Sequence, residues 1–487
     1  MSSKPIRLGF VEPGLRRTPF FLEIRRFLGP TVECVYYARR GIVRRYVEAV
    51  DAPLFPADPR PLDREYPISD AELRVAVGQK QLALREKPAL AKARRLLAEL
   101  SEFVDRRRVD AVLLWNGSHL RGALATYLAR RRGIPVIFGE HGYFPGTLQL
   151  DLEGVNFRSS ISELVARGAA QLPPDRQLDR ALDLEIAHYK AGRPMRVKEG
   201  RLPPVYRLDT ATRIRRSLKL WYQARGGSLA PMRRADNADP AAALPPHYVL
   251  LPFQVRHDSQ LILHSPLVGN DMERLLAALD AALPAVDPRL RLVVKFHPGE
   301  FPQVQNRYRD LPKRYPQVRF CSRTPVTALL ANAAAVVTVN STVGFEALLY
   351  DKPVVTLGRN FYTVPGLVEP VRRLDELPDV LARALSRPAD RERRRAFLRY
   401  VHSKFLTFGS CQDFSERSLL AVAERIGELL KRASSPLQRP AAEKAALAAT
   451  ARPRVAVATP AFEVRSCVAE LPAAAGLQPA ATRYQKR

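Results

Sequence analysis

Apolar residues along this chain switch repeatedly between short continuous runs and helical spacing. Residues 6–11 form an apolar run that stops at Glu12-Pro13-Gly14, a strand followed by a turn. A second run, residues 109–115, stops at Asn116-Gly117. An amphipathic stretch over 120–132 follows, and Gly133-Ile-Pro leads into a strand ending at Phe138. Strand, turn, helix, strand is the order of a βαβ unit in a parallel sheet. Residues 151–243 are more polar, with helical spacing over 171–189 and 210–222, and 240–246 read as a linker. The rhythm then resumes, with strands over 248–252, 290–296, 334–339 and 353–357 and helices over 270–283 and 341–350. Helical patterns over 391–405 and 413–431 close the periodic region. The pattern predicts an α/β chain with one domain over 1–243, a second over 244–432, and an Ala/Pro-rich tail over 433–487. That tail shows no amphipathic period and is expected to be disordered. In parallel sheets ligands bind beyond the carboxyl ends of the strands, so the site is expected in a cleft between the two domains.

Composition adds one anomaly. The chain has 487 residues, 46% hydrophobic and 26% charged, which is ordinary for a globular protein. Its 78 Lys+Arg against 49 Asp+Glu give a formal net charge of +29. Such an excess suits a polyanionic partner: nucleic acid, an anionic membrane, or acidic or phosphorylated substrates. Cys34, Cys321, Cys411 and Cys467 lie far apart and form no CxxC pair, which argues against a disulfide framework or a zinc site. The N-terminus lacks the apolar stretch of a signal peptide, and no 18-residue apolar run occurs. The expected location is cytoplasmic, with a membrane surface within reach.

Four constellations carry candidate chemistry. Glu140-His141-Gly142 begins a polar stretch, ending at Gln149-Leu-Asp151, directly after the strand that stops at Phe138. Glu140 is either a solvated loop carboxylate or an acid in the cleft. Leu251-Pro-Phe-Gln254 leads through Val255, Arg256 and His257 to Asp258-Ser-Gln260, also just past a strand. Arg256 and His257 favour an ionised Asp258, as a nucleophile or base requires; an exposed turn before a helix fits equally well. Lys295-Phe-His297-Pro298 ends a third strand and has the groups to hold a phosphate. Asn340-Ser341-Thr342 opens a helix whose free N–H groups make an anion site, and Glu346 follows within reach of a ribose hydroxyl. Two α/β halves with such a helix start in the second point to a GT-B-type architecture, two Rossmann-like domains facing a cleft.

Taken together, these strings resemble the capsule polysaccharide biosynthesis family of Gram-negative bacteria. The ordered set and the Asn340-Ser-Thr-Val-Gly-Phe-Glu-Ala-Leu348 string carry the likeness over roughly residues 110–365. One copy of the set is present, similar to single-module members that add the first β-Kdo to a phosphatidylglycerol anchor. The resemblance implies retaining transfer of Kdo from CMP-β-Kdo, with Asp258 attacking the anomeric carbon and Glu140 as general acid/base. It implies CMP and phosphate binding by Lys295, His297, Pro298, Asn340, Ser341, Thr342 and Glu346. It also implies substrate contacts from His141, Gly142, Gln149, Gln254 and Gln260. The first domain would serve the acceptor and the second the CMP-sugar, with no metal and no cofactor beyond that donor. Two alternatives stand beside this reading: a transferase for another CMP-sugar, and a non-catalytic, membrane-associated capsule assembly or export factor.

A lipid acceptor gives the charge a role, since anionic lipid attracts each surface Lys or Arg by about 1 kcal/mol. Residues 212–222 mix Arg213, Arg215, Arg216 and Lys219 with Leu218, Leu220, Trp221 and Tyr222, the chemistry of a helix at a membrane interface. The expected partners are the CMP-sugar, an anionic lipid on the cytoplasmic face of the inner membrane, and other capsule assembly proteins. Nucleic acid is not expected, because no recognisable binding signature accompanies the charge.

Overall fold

The computed structural model describes residues 4–39, 41–56, 65–78, 86–192, 200–208, 214, 218, 244–297, 308–387 and 390–434. Two predominantly parallel sheets organise them. The first contains β1 (Ile6–Val11), β2 (Val32–Tyr37), β3 (Leu54–Phe55), β4 (Ala111–Trp115), β5 (Val136–His141) and β6 (Thr147–Asp151). The second contains β7 (Tyr248–Pro252), β8 (Arg291–Lys295), β9 (Arg319–Cys321), β10 (Ala335–Thr338), β11 (Val354–Thr356) and β12 (Val368–Pro370). A last short strand, β13 (Leu406–Phe408), returns to the first sheet. The strand orders are β13-β6-β5-β4-β1-β2-β3 and β12-β11-β10-β7-β8-β9. In the second sheet every pairing is parallel; in the first, β6 runs antiparallel to both β5 and β13. Both sheets carry helices on their two faces, the doubly wound arrangement that the alternating strand and helix periods predict. The molecule is thus α/β with two Rossmann-like halves, the GT-B type.

Each sheet is buried between two apolar layers, as short runs of Val, Leu and Phe require. Phe10, Tyr36 and Trp115 point to one face of the first sheet, and Val35, Tyr37 and Leu114 to the other. The division expected at residue 243 is crossed twice. Tyr143, Phe144, Ile161, Val165 and Leu182 pack into the core of the second half, against residues such as Phe345 and Phe397. In return, the Glu416–Ser434 helix buries Leu419, Val422, Ile426 and Leu430 with Phe20 and Phe21 of the first. The helical stripe of residues 413–431 shows that one face must be covered, but not which sheet covers it. Residues 406–432, grouped by sequence with the second domain, therefore complete the first sheet and its core.

Polar ties cross the same boundary. Arg395 bonds Asp183 at 2.7 Å and Asp179 at 3.0 Å, and Nε of the buried Arg399 bonds Asp179 at 2.9 Å. Among the described residues no helix is long and apolar enough to cross a membrane. The interfacial stretch 212–222 lies outside the described residues except for Ile214 and Leu218, both exposed. The 433–487 tail is likewise outside them beyond Ser434.

Candidate active site

The first half contributes the carboxyl end of β5. This strand runs three residues beyond Phe138, so Glu140 and His141 sit in a hairpin with β6, where Glu140 pairs with Gln149 and His141 with Leu148. Gly142 makes the turn possible: its N–H donates to the Thr147 carbonyl at 2.9 Å, and a Cβ there would lie 2.0 Å from Thr147 Oγ1. Its role in the structure is to shape the hairpin. Gln149, expected to touch substrate, is 1% exposed, and its amide is occupied within the chain. Nε2 donates to the His141 carbonyl at 2.8 Å and to Asn156 Oδ1 at 3.2 Å, while Oε1 accepts from Asn156 N at 3.0 Å. Gln149 therefore acts on the site by holding the backbone of His141.

Glu140 is held from two sides. Its Oε2 accepts from Asn116 Nδ2 at 2.6 Å, and Oε1 accepts from the His141 N–H at 2.9 Å. Asn116 follows β4 with φ of 62°, a left-handed conformation that Asn tolerates better than most residues, and its N–H donates to Gly139 O at 2.8 Å. The Asn-Gly pair that reads as a strand stop is also what aims an amide at Glu140. His141 meets the Trp115 ring edge-on, with centroids 5.0 Å apart. Burial pushes the His141 pKa down; Glu140 opposes this and Arg17 adds to it, which favours the neutral imidazole.

The second half contributes two loops locked to each other. Gln254 Nε2 donates to Asn340 Oδ1 at 2.9 Å, and Asn340 N donates back to Gln254 Oε1 at 3.1 Å. Asn340 Nδ2 also bonds the Gln260 carbonyl at 2.9 Å. Both side chains are buried. Their amides bond each other and the backbone, which fixes the Ser259–His264 helix against the end of β10. Asp258 caps that helix, accepting from Gln260 N at 2.9 Å. Gln260 contributes its backbone N–H and carbonyl to these ties.

Ser341 caps the Thr342–Leu349 helix, its Oγ accepting from Val343 N at 3.2 Å. Thr342 is exposed at the helix start and Ser341 half-buried. Tyr362 donates its hydroxyl to the Ser341 carbonyl at 2.5 Å. A Cβ on Gly344 would lie 2.5 Å from that hydroxyl and 2.9 Å from the ring. Gly344→Ala is therefore expected to cost about 1–3 kcal/mol through overpacking, measured as a lower denaturant midpoint with unchanged slope. Glu346 is engaged within the chain. Its carboxylate accepts the hydroxyl of Tyr189, on the Arg176–Lys190 helix, and that of Thr342. Burial raises its pKa, and the two hydrogen bonds oppose that rise. Lys295 ends β8 with Nζ donating to the Ser322 carbonyl at 2.5 Å, and His297 is exposed two residues on. Pro298 lies outside the described residues.

The halves meet at Tyr143, a residue the sequence reading did not single out. Its ring packs on Phe361 and Phe345 of the second half, with centroids 4.4 and 5.2 Å away. Its hydroxyl donates to Asn156 of the first. Burial raises the Tyr143 pKa most; the charges of Tyr362, Glu140 and Asp258 raise it further.

His264, at the far end of the Asp258-capped helix, packs edge-on against Phe157 of the first half at 5.0 Å. Burial, reinforced by Arg158 and Arg359, lowers its pKa from 6.5 to about 4. A histidine buried neutral stabilises the fold fully above its unfolded pKa. That contribution declines as pH falls from about 6.5 and is lost below about 4. A His264→Phe variant is expected to lack this component, seen as a shallower loss of stability over that window.

Comparison with known proteins agrees with these motifs. Residues 110–409 match the family model described as capsule polysaccharide biosynthesis protein. Protein FixF of Sinorhizobium fredii is 31% identical over 299 residues, covering 61% of this chain and 60% of that protein. The capsule polysaccharide export protein KpsS of Escherichia coli is 28% identical over 265 residues, covering 49% of this chain and 64% of that one. The chain thus spans under two thirds of the length of both relatives. Among solved structures, the Thermosulfurimonas dismutans KpsC beta Kdo 2,4 transferase is 20% identical, with a TM-score of 0.40 over 65% of this chain and 87% of that one. The family model covers well over half of the chain and contains every motif described above, so the chain belongs to the capsule polysaccharide biosynthesis protein family.

Proposed function

We propose that the chain is a retaining glycosyltransferase that moves Kdo from CMP-β-Kdo to a phosphatidylglycerol-type lipid, starting the β-Kdo linker of a capsular polysaccharide. The observation that supports this reading is that Glu140, in the hairpin of the first half whose Tyr143 packs on the second, and Asp258, just beyond β7 of the second half, both fall in the stretch that matches the capsule polysaccharide biosynthesis family. Retention at a sugar carbon uses two carboxylates, and in retaining glycosidases they stand roughly 5 Å apart. A non-catalytic scaffold has no need of such a pair at the ends of strands from opposite halves.

In the proposed reaction the Asp258 carboxylate attacks the anomeric carbon. The bond from that carbon to the CMP phosphate oxygen breaks, and its electron pair leaves with CMP. The acceptor hydroxyl then attacks the same carbon and passes its proton to Glu140, while Asp258 departs as a carboxylate. Two inversions give retention. CMP is a good leaving group by itself, so Glu140 works mainly as the base of the second step. The exposed helix start at Ser341 and Thr342, with Lys295 and His297, would receive the CMP phosphate and stabilise its charge. Gln254 and Asn340 support that subsite by fixing its two loops. The excess of 29 positive charges suits docking on anionic lipid at the cytoplasmic face of the inner membrane.

The test is incubation of the purified protein with CMP-Kdo, generated in situ, and a fluorescent phosphatidylglycerol analogue. A Kdo-lipid product is expected. Protein that binds CMP yet yields no product overturns the reading.

A further inference from the structure

Arg17 follows β1, just ahead of the Thr18–Ile24 helix, at the carboxyl edge of the first sheet. Its guanidinium lies over the Trp115 ring, 4.2 Å from the centroid, and the same ring meets His141 beside Glu140. The stacking fixes the planar fork, while one nitrogen reaches only a long bond of 3.4 Å to the Pro13 carbonyl. Its Nε is buried without a hydrogen-bond partner, and among the described residues no carboxylate lies within ion-pair distance of the guanidinium. Other shielded arginines of the chain do have such partners: Arg39 meets Glu99, Arg121 meets Glu12, Arg394 meets Asp351 and Arg399 meets Asp179. Glu140 acts on Arg17 only at longer range, and burial keeps the neighbouring Cys411 thiol protonated, so neither supplies a bonded counter-charge. A partly desolvated cation with a buried, unmet donor gains most from an anion that completes it.

We infer that Arg17 receives an anionic group carried by the acceptor, a phosphodiester or a carboxylate, next to the hydroxyl that Glu140 deprotonates. This inference rests on the proposed role of Glu140. Guanidinium on one side and base on the other would set the acceptor's orientation. Transfer would then be selective for a hydroxyl that lies close to a negative charge. Sequence patterning gives no hint of this, because Arg17 is one of two adjacent arginines after a Gly-Leu turn and Trp115 belongs to a distant strand.

The experiment measures binding directly, without turnover, by calorimetry in the presence of CMP. Two anionic probes separate the sources of the charge: short-chain dihexanoyl phosphatidylglycerol for the lipid phosphodiester, and the methyl glycoside of Kdo for the sugar carboxylate. Each is paired with a neutral counterpart, a dihexanoyl glycerol glucoside and the methyl ester of the same glycoside. The wild-type protein is expected to favour at least one anionic probe over its neutral partner. Arg17→Gln is expected to weaken that probe by about 10- to 100-fold, Arg17→Lys by less, and neither to change CMP affinity. Equal binding of charged and neutral probes by the wild type, or unchanged binding of both anionic probes by Arg17→Gln, would overturn the inference. CMP binding reports that each variant is folded. Donor turnover by the wild type, scored separately, tests the transferase reading, so failure of one is not mistaken for failure of the other.

Discussion

Asp258→Asn is expected to abolish sugar transfer, by about a thousandfold or more, while leaving CMP affinity within a few-fold of the wild type. Asparagine is the informative replacement because Asp258 has two roles. It caps the Ser259–His264 helix through its bond from Gln260 N. Asn is as good a cap as Asp, so this variant keeps the cap while replacing the oxygen proposed as nucleophile. Asp258→Ala also removes the cap, which adds about 1 kcal/mol of destabilisation and confuses the comparison. The measurement pairs initial rates of Kdo-lipid formation with CMP titration. Residual transfer above about one tenth of the wild-type rate in Asp258→Asn removes Asp258 as nucleophile, using the size of a catalytic-group deletion as the yardstick.

Glu140→Gln is expected to lower transfer by about 10²- to 10⁴-fold, the usual range for loss of a general base. Glutamine leaves a carbonyl oxygen to accept from Asn116 or from the His141 N–H, which preserves the hairpin. Because CMP needs no protonation to leave, the first step should proceed nearly as before. Rapid-quench kinetics should therefore show a burst of CMP release, close to one equivalent per enzyme, followed by slow turnover. Loss of the burst together with the steady rate would mean that Glu140 serves donor cleavage as well.

Much of the scaffold could be read from periodicity. Strands β1 and β7 begin and end where the apolar runs over 6–11 and 248–252 predict. The β6 strand is not legible locally, because residues 142–151 contain two glycines and polar residues that ordinarily face water. In the structure β6 is buried along its whole length, with Gln149 satisfied by backbone and Asn156, and its outer edge is covered by β13 from far along the chain. Such long-range pairings leave no local trace. The same limit applied to the site. Glu140 and Asp258 stand out as carboxylates just past strands, but the mutual bonding of Gln254 and Asn340, and of Glu346 and Tyr189, exists only once the loops are folded together. The family resemblance alone implies substrate contacts for Gln149, Gln254 and Gln260. In the structure the amides of Gln149 and Gln254 are bonded within the chain and hold neighbouring loops in place.

In the proposed reaction a sugar passes through Asp258 while Glu140 waits for the acceptor. Intact-mass spectrometry of Glu140→Gln protein, after brief exposure to CMP-Kdo without acceptor, tests this directly. The account predicts a protein heavier by one Kdo residue, with peptide mapping placing the adduct on Asp258, and no adduct in the Asp258→Asn, Glu140→Gln double variant. An unmodified Glu140→Gln protein that nonetheless releases CMP and forms retained Kdo-lipid would contradict it.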